Sequence, residues 1–186
     1  MVRRCAWAGN MPEMILYHDG EWGVPLYDDN KIFEMLSLEG AQAGLSWATI
    51  LKRREGYRVA FDKFDISKIS KYKESKVKSL IQDNRIIRNQ AKIRSTINNA
   101  KRVVDAKKEF GSFNNYVWDF VDHKPIINKF KSSSQCPSTT PISDSMTLDL
   151  KKRGFTFVGS TICYAFMQSI GMVNDHSTDC FRYNEL

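Results

Sequence analysis

The sequence has no apolar run approaching the roughly 20 residues that span a bilayer. Its first ten residues carry Arg3 and Arg4 but no apolar segment of the kind a secretory leader needs. These absences exclude a membrane-spanning helix and predict a soluble chain in the cytoplasm. Cysteine is scarce: Cys5, Cys136, Cys163 and Cys180 are the whole set. In that compartment they read as thiols or metal ligands rather than disulfides. Strand-like alternation is missing too. Phe155 to Val158 comes nearest, but it is short and bracketed by glycines. There is no internal repeat and no low-complexity segment. Acidic residues are outnumbered, 21 against 28 basic, so the formal charge is +7, a balance that suits a polyanionic partner such as nucleic acid without requiring one.

What is present has helical periodicity nearly throughout, which predicts an all-α fold. At 186 residues the chain fits one domain with its own core. Asp28 can cap a helix to Glu39 in which Phe33 pairs with Leu36 and Met35 with Leu38. The stretch from Leu45 to Phe64 reads as one helix carrying Ile50, Leu51, Tyr57 and Phe61, and Ser75 to Gln82 as a short one. After Arg88 a long basic helix puts Ile93, Ile97, Ala100 and Val104 on one stripe and stops at Gly111. Ser112 then caps a helix with Phe113, Val117, Phe120 and Val121 on a face. Residues 124–142 hold three of the five prolines and a serine run and are expected to form a loop. Helices resume from about Ser143 to Arg153 and from Gly159 to about Gly171.

Three constellations carry chemistry. In the first, Lys151, Lys152 and Arg153 end a helix at Gly154, which suits a left-handed cap. Gly159 then opens the next helix, with Ser160 and Thr161 just inside it. The free amides of such an end accept phosphate, and contacts of this kind position nucleic acid without reading its sequence. An ordinary turn with a basic surface remains the alternative. In the second, Cys5 and His18 near the start and His176 and Cys180 near the end add up to a Cys₂His₂ set. The four-residue spacing of the last pair places both side chains on one side of a helical turn. Four protein ligands would make the zinc structural and leave no site for a reactive water. The alternative is a buried cysteine and a surface histidine at each end. The His-x-Glu plus Cys-x-x-Cys pattern of zinc deaminases is absent. In the third, Trp7, Trp22, Trp47 and Tyr17 cluster in sequence around Glu39. That carboxylate falls at a helix C-terminus among small and apolar neighbours, a poor place for an anion and hence a candidate for use. Aromatic walls with one acceptor suit a flipped cationic purine; a plain aromatic core with a solvated acid is the other reading.

Four segments, Tyr-His-Asp-Gly-Glu-Trp-Gly-Val-Pro (17–25), Leu-Glu-Gly-Ala-Gln-Ala-Gly-Leu-Ser-Trp (38–47), Lys-Arg-Gly-Phe-Thr-Phe-Val-Gly-Ser-Thr-Ile-Cys-Tyr (152–164) and Val-Asn-Asp-His (173–176), resemble the bacterial DNA-3-methyladenine glycosylase I family. The likeness runs from Cys5 to Cys180. It implies an all-α helix-hairpin-helix fold in one domain over 1–186, with the hairpin at about 144–171. It implies a structural zinc on the ends 5–18 and 176–180, held by Cys5, His18, His176 and Cys180. It implies that Glu39 and Tyr17 hydrogen-bond the excised base while Trp47 and Trp7 pack on it, with Trp22 in the same pocket. Gly154, Gly159, Ser160 and Thr161 would contact DNA, and Leu45 would fill the gap left by the flipped nucleotide. Met14 departs from the family pattern, standing where a tyrosine is usual. The expected activity is excision of 3-methyladenine from alkylated double-stranded DNA by a monomer. No lysine stands in Gly159-Ser-Thr-Ile-Cys, so no strand cleavage is expected. Asp175 and Asp179 flank the proposed ligands and are read as supporting them rather than as a general base. The alternative function is a helix-hairpin-helix DNA-binding module without turnover.

Overall fold

The computed structural model describes residues 2–186. Its α-helices are α1 (Pro12–Gly20), α2 (Asp29–Gln42), α3 (Trp47–Leu51), α4 (Arg54–Ala60), α5 (Ile66–Ile69), α6 (Glu74–Gln82), α7 (Gln90–Phe110), α8 (Phe113–Trp118), α9 (Pro141–Lys152) and α10 (Ser160–Ser169). No helix among the described residues is long and apolar enough to cross a membrane.

The centre is α2. Asp28 caps it by accepting from the Lys31 amide at 2.9 Å, and every residue from 32 to 41 is buried. Two apolar stripes were expected on this helix, and both are core, because a helix buried on all sides needs more than one. Helices α3, α7, α8 and α10 pack around it. The acid in its middle, Glu34, is met by Arg54 at 2.6 Å and Arg58 at 3.0 Å, partners of the kind a buried polar group requires.

α7 begins behind the Asn89 cap and ends at Gly111, whose φ is +82°. Its buried stripe is Ile93, Ile97, Ala100, Val103 and Ala106, with Val104 only half-buried. Ser112 caps α8 as its position suggested.

Other expectations are corrected. Residues 45–64 do not form one helix. Ser46 caps α3 through the Thr49 amide at 3.2 Å, so the helix starts at Trp47 and Leu45 stays in the loop before it. The break between α3 and α4 falls where Arg53 donates to the Asn84 carbonyl and Arg54 to Glu34. Neither proline nor glycine marks it, and these tertiary anchors are what the local pattern lacks. α1 was not anticipated: its buried residues, Tyr17 and His18, are adjacent and make no helical stripe. α9 starts two residues early, because Thr140 and Ser143 form a reciprocal capping box. The fold is mostly rather than wholly helical. Ile126–Ile127 (β1) pairs in parallel with Val173–Asn174 (β2), fastening the proline-rich segment to the chain leaving α10. Phe155 to Val158 is the turn between α9 and α10, not a strand.

Gly171 sets the exit of α10. Its φ is +73°, and a β-carbon there would lie 2.3–2.6 Å from backbone atoms of Val24 and Pro25. The same strip, 23–26, is bonded to the helix end by Gly23 N to Gln168 O and Leu26 N to Ile170 O. Gly171→Ala therefore meets both a left-handed backbone and an unyielding neighbour. It should destabilise the chain by at least about 3 kcal/mol, read as a lower urea midpoint at unchanged slope. A variant within about 0.5 kcal/mol of wild type would contradict this packing.

Candidate active site

α1, the end of α2, the start of α3 and one face of α10 enclose a cavity of about 390 Å³. Its walls include Trp7, Met14, Tyr17, Trp22 and Trp47. The rings make a continuous cage. Trp7 stands edge-on to Trp22 at 4.8 Å between centroids and 6.3 Å from Tyr17, which in turn lies 5.2 Å from Trp47. The indole nitrogens of Trp7 and Trp47 are buried with no hydrogen-bond partner. Helix α1 supplies Met14 and Tyr17, and Ser46 fixes Trp47 at the first position of α3.

Glu39 reaches the cavity from the last turn of α2 and is 5% exposed. Burial pushes its carboxyl up to about 8. This contrasts with Glu34, one and a half turns earlier, which two arginines neutralise. A buried acid without a partner keeps its acceptor capacity for something that arrives. Burial also raises the Tyr17 phenol well above its ordinary value, with nearby Glu39 adding to the effect.

The opposite wall was not foreseen. Asp175, buried and placed just after β2, accepts from Asn128 at 2.6 Å, Tyr164 at 2.6 Å, Gln168 at 2.8 Å and the Cys136 thiol at 3.2 Å. Cys136, Tyr164, Gln168 and Asp175 all line the cavity with Gln42 and Thr161. From sequence, residues 124–142 are expected to form a loop. The segment reaches the site only because β1 and the Asp175 bonds draw it in, and no local pattern announces such contacts.

Behind the aromatic wall, Cys5, His18, His176 and Cys180 are all buried, with ligand atoms within 4.8 Å of one another. Cys180 Sγ lies 3.5 Å from His18 Nε2 and 3.5 Å from His176 Nδ1, and Cys5 Sγ lies 3.6 Å from that same Nδ1. A tetrahedron with metal–ligand bonds of about 2.0–2.3 Å has edges of roughly 3.5 Å, so the donors fit a four-coordinate ion. Each imidazole is oriented through its other nitrogen. His18 Nδ1 pairs with Asp19 at 2.7 Å, Asp19 being gripped by Arg4, and His176 Nε2 donates to the Trp22 carbonyl at 3.0 Å. The anticipated helical turn at His176 and Cys180 is absent: residues 175–180 form no helix, and a tight turn with Cys180 N bonded to Ser177 O brings the side chains together. Asp179 pairs with Arg3 at the surface.

The turn between α9 and α10 is held at both ends. Gly154, φ +86°, sits past the α9 cap, with Phe155 N bonded to Leu150 O at 3.0 Å and Gly154 N to Lys151 O at 2.9 Å, the paired bonds of a Schellman stop. Gly159 begins α10 with no side-chain cap, and a β-carbon there would meet open space. The Ser160 hydroxyl is engaged by Ser143 and Asp144. Thr161 is exposed at the cavity rim, and Leu45 is 39% exposed beyond Gly44, φ +75°.

An aromatic cage around an uncompensated acid suits a flat, cationic ligand. The model of the methyladenine glycosylase family matches residues 7–183. DNA-3-methyladenine glycosylase 1 of Escherichia coli K12 is 47% identical over 98% of this chain and 97% of its own length. The DNA-3-methyladenine glycosylase of Haemophilus influenzae is 46% identical, over 97% of each. The Staphylococcus aureus 3-methyladenine DNA glycosylase I, solved to explain 3-methyladenine recognition, superimposes with a TM-score of 0.93 at 31% identity, over 96% of this chain and 95% of that one. The chain belongs to the methyladenine glycosylase family.

Glu39 leaves a signature in stability. In the unfolded chain its carboxyl titrates at about 4.3; in the folded chain it titrates at about 8. Between those values the unfolded state releases its proton first, so stability falls as pH rises through the window and levels off above it. Glu39→Gln has no such slope. Relative to wild type it should gain on the order of a few kcal/mol between about pH 5 and pH 8, measured by urea unfolding of both proteins. An equal difference at the two pH values would show that the acid is not held neutral by burial.

Proposed function

We propose that this chain is a monofunctional DNA-3-methyladenine glycosylase of base-excision repair, acting as a monomer on alkylated double-stranded DNA in the cytoplasm. The observation that carries the reading is Glu39, an acceptor without a partner inside an aromatic cavity large enough for a purine. Methylation at N3 gives adenine a positive charge and makes it a good leaving group. Trp7 and Trp47 stack on the extruded cation, Trp22 and Met14 complete the wall, and Glu39 with Tyr17 receives the hydrogen bonds of its edge. Neutral adenine gains less from the same carboxylate, so selection follows charge. Departure of the base leaves an oxocarbenium-like sugar for water to attack, and the charged leaving group lessens the need for a strong general base.

The whole chain serves as one glycosylase domain. The α9–turn–α10 unit is read as a helix-hairpin-helix. Its free amides at Ser160 and Thr161, approached over Gly159, accept a backbone phosphate, with Gly154 shaping the turn. Leu45 enters the stack in place of the lesion. No lysine lines the cavity among the described residues, which supports base loss without an imine intermediate or strand cleavage.

The test is chromatography of bases released from methylated duplex DNA. Wild type should release 3-methyladenine with no borohydride-trapped adduct, and Glu39→Gln should lose on the order of 100-fold or more. Because kcat/KM reports the free enzyme, its rise with pH should inflect near 8 in wild type and not in the variant. A folded chain that binds DNA but releases nothing would leave the non-catalytic module.

The Cys₂His₂ set is assigned a structural zinc. Its four protein ligands leave no open position for water, so it fastens residues 5–18 to residues 176–180 and takes no part in hydrolysis. Metal analysis of wild type should find about one zinc per chain. Cys180→Ser should lose it together with about 3 kcal/mol, or roughly 10 °C in melting temperature at this chain length. Metal-free wild type of unchanged stability would sink the assignment.

A further inference from the structure

The first turns of α7 touch both segments assigned to DNA. Lys92 reaches back across 49 residues to the end of α2, where its Nζ donates to the Ala41 carbonyl at 2.8 Å and the Ala43 carbonyl at 2.6 Å. Carbonyls at a helix C-terminus lack intrahelical partners and carry partial negative charge, so an ammonium group satisfies them doubly. From there the chain passes through Gly44 to Leu45, whose own backbone anchor is a bond from its amide to Gln42 O at 2.6 Å. One and two turns further along α7, Ser95 and Asn99 donate to the Thr156 carbonyl at 3.1 and 2.9 Å, and Asn99 accepts from the Thr156 amide. Asn98 donates to the Gly154 carbonyl at 2.8 Å. Phe157 closes the gap: its Cβ lies 3.4 Å from where a β-carbon on Gly40 would stand. One face of one helix thus sets the spacing between the Leu45 loop and the hairpin turn.

We infer that Lys92 is a positioning residue, holding the Leu45 loop in register with the hairpin so that both engage the same nucleotide. This rests on the glycosylase reading above. The base cavity does not depend on it: Glu39 precedes Ala41 within the buried helix, and Tyr17 and Trp47 are held by α1 and α3. Loss of the two hydrogen bonds lets the loop leave the wedge position while the cavity persists. Only opening of stacked duplex then suffers, because a base in single-stranded DNA needs little extrusion.

Lys92→Met keeps the side-chain stem and removes the donors. Expected is a fall of about tenfold or more in kcat/KM on alkylated duplex DNA. Excision from an alkylated single-stranded oligonucleotide and affinity for free 3-methyladenine, read by tryptophan fluorescence, should stay within about twofold. Lys92→Arg, which retains donors, should recover most of the duplex rate. In a Leu45→Ala background Lys92→Met should cost little more, since no wedge remains to be placed. If the methionine variant unfolds, Lys92→Leu, which also lacks a donor, is read in the same way. Parallel loss in all three assays, or full additivity with Leu45→Ala, would make Lys92 merely structural and overturn the inference. A wild type that excises nothing overturns the glycosylase reading first; an active wild type matched by Lys92→Met on duplex overturns this inference alone.

Discussion

Everything in the site depends on the burial of α2. A helix enclosed on every side offers no exposed face on which a polar residue can rest, so each one must be neutralised or left unsatisfied. Glu34 takes the first course, with Arg54 and Arg58. Glu39 takes the second. Its place in the last turn adds the unfavourable pole of the helix to the loss of water. Such a group persists only where the surrounding core is strong enough to hold it. The fully buried Phe33, Leu36, Leu38 and Phe166 supply that core. The carboxylate then gains most when a cation enters, since the ligand replaces the missing countercharge in a region of low polarity.

The enclosure also explains why chain ends far apart in sequence meet behind the cavity. The Trp7 and Trp22 rings need something rigid at their backs. Trp22 stands edge-on to His176 at 4.7 Å between centroids, and Trp7 edge-on to His18 at 5.2 Å. The Trp22 carbonyl also accepts from the His176 ring. The Cys/His cluster therefore does more than join termini: its imidazoles are the second layer of the aromatic wall. Disorder in that cluster would blur the ring positions on which stacking depends.

Much of this was legible in the sequence, and what was not has definite causes. Capping residues and periodicity point to α2, α7, α8, α9 and α10, because those signals are local. The cage around Glu39 and the four clustered cysteines and histidines were legible as sets, the more so through the family resemblance. The break between α3 and α4 was not, since it depends on Arg53 and Arg54 finding partners distant in sequence. β1 was hidden because two residues cannot show alternation. The Asp175 wall escaped for a related reason: its four donors come from positions 128, 136, 164 and 168, which share no spacing and meet only when the chain closes. In the sequence Asp175 reads as support for the neighbouring ligands rather than as a general base; its place in the cavity follows from tertiary bonds alone.

The two carboxylates of the cavity divide its electrostatics. Asp175 is surrounded by donors and gives a fixed wall whose hydrogen bonds are already made. Glu39 has none and gives a variable one, its carboxyl pushed up to about 8 by burial. A cavity with two saturated acids would bind any cation weakly through the field alone. One with two unsatisfied acids would force them to share a proton, as closely spaced like charges do. Pairing one saturated with one unsaturated acid leaves a single carboxylate free, which favours one placement of a ligand's donor edge. On the proposed reading, a planar base would be oriented by Glu39 and the stacked rings together, the rings restricting its plane and the carboxylate its rotation within that plane.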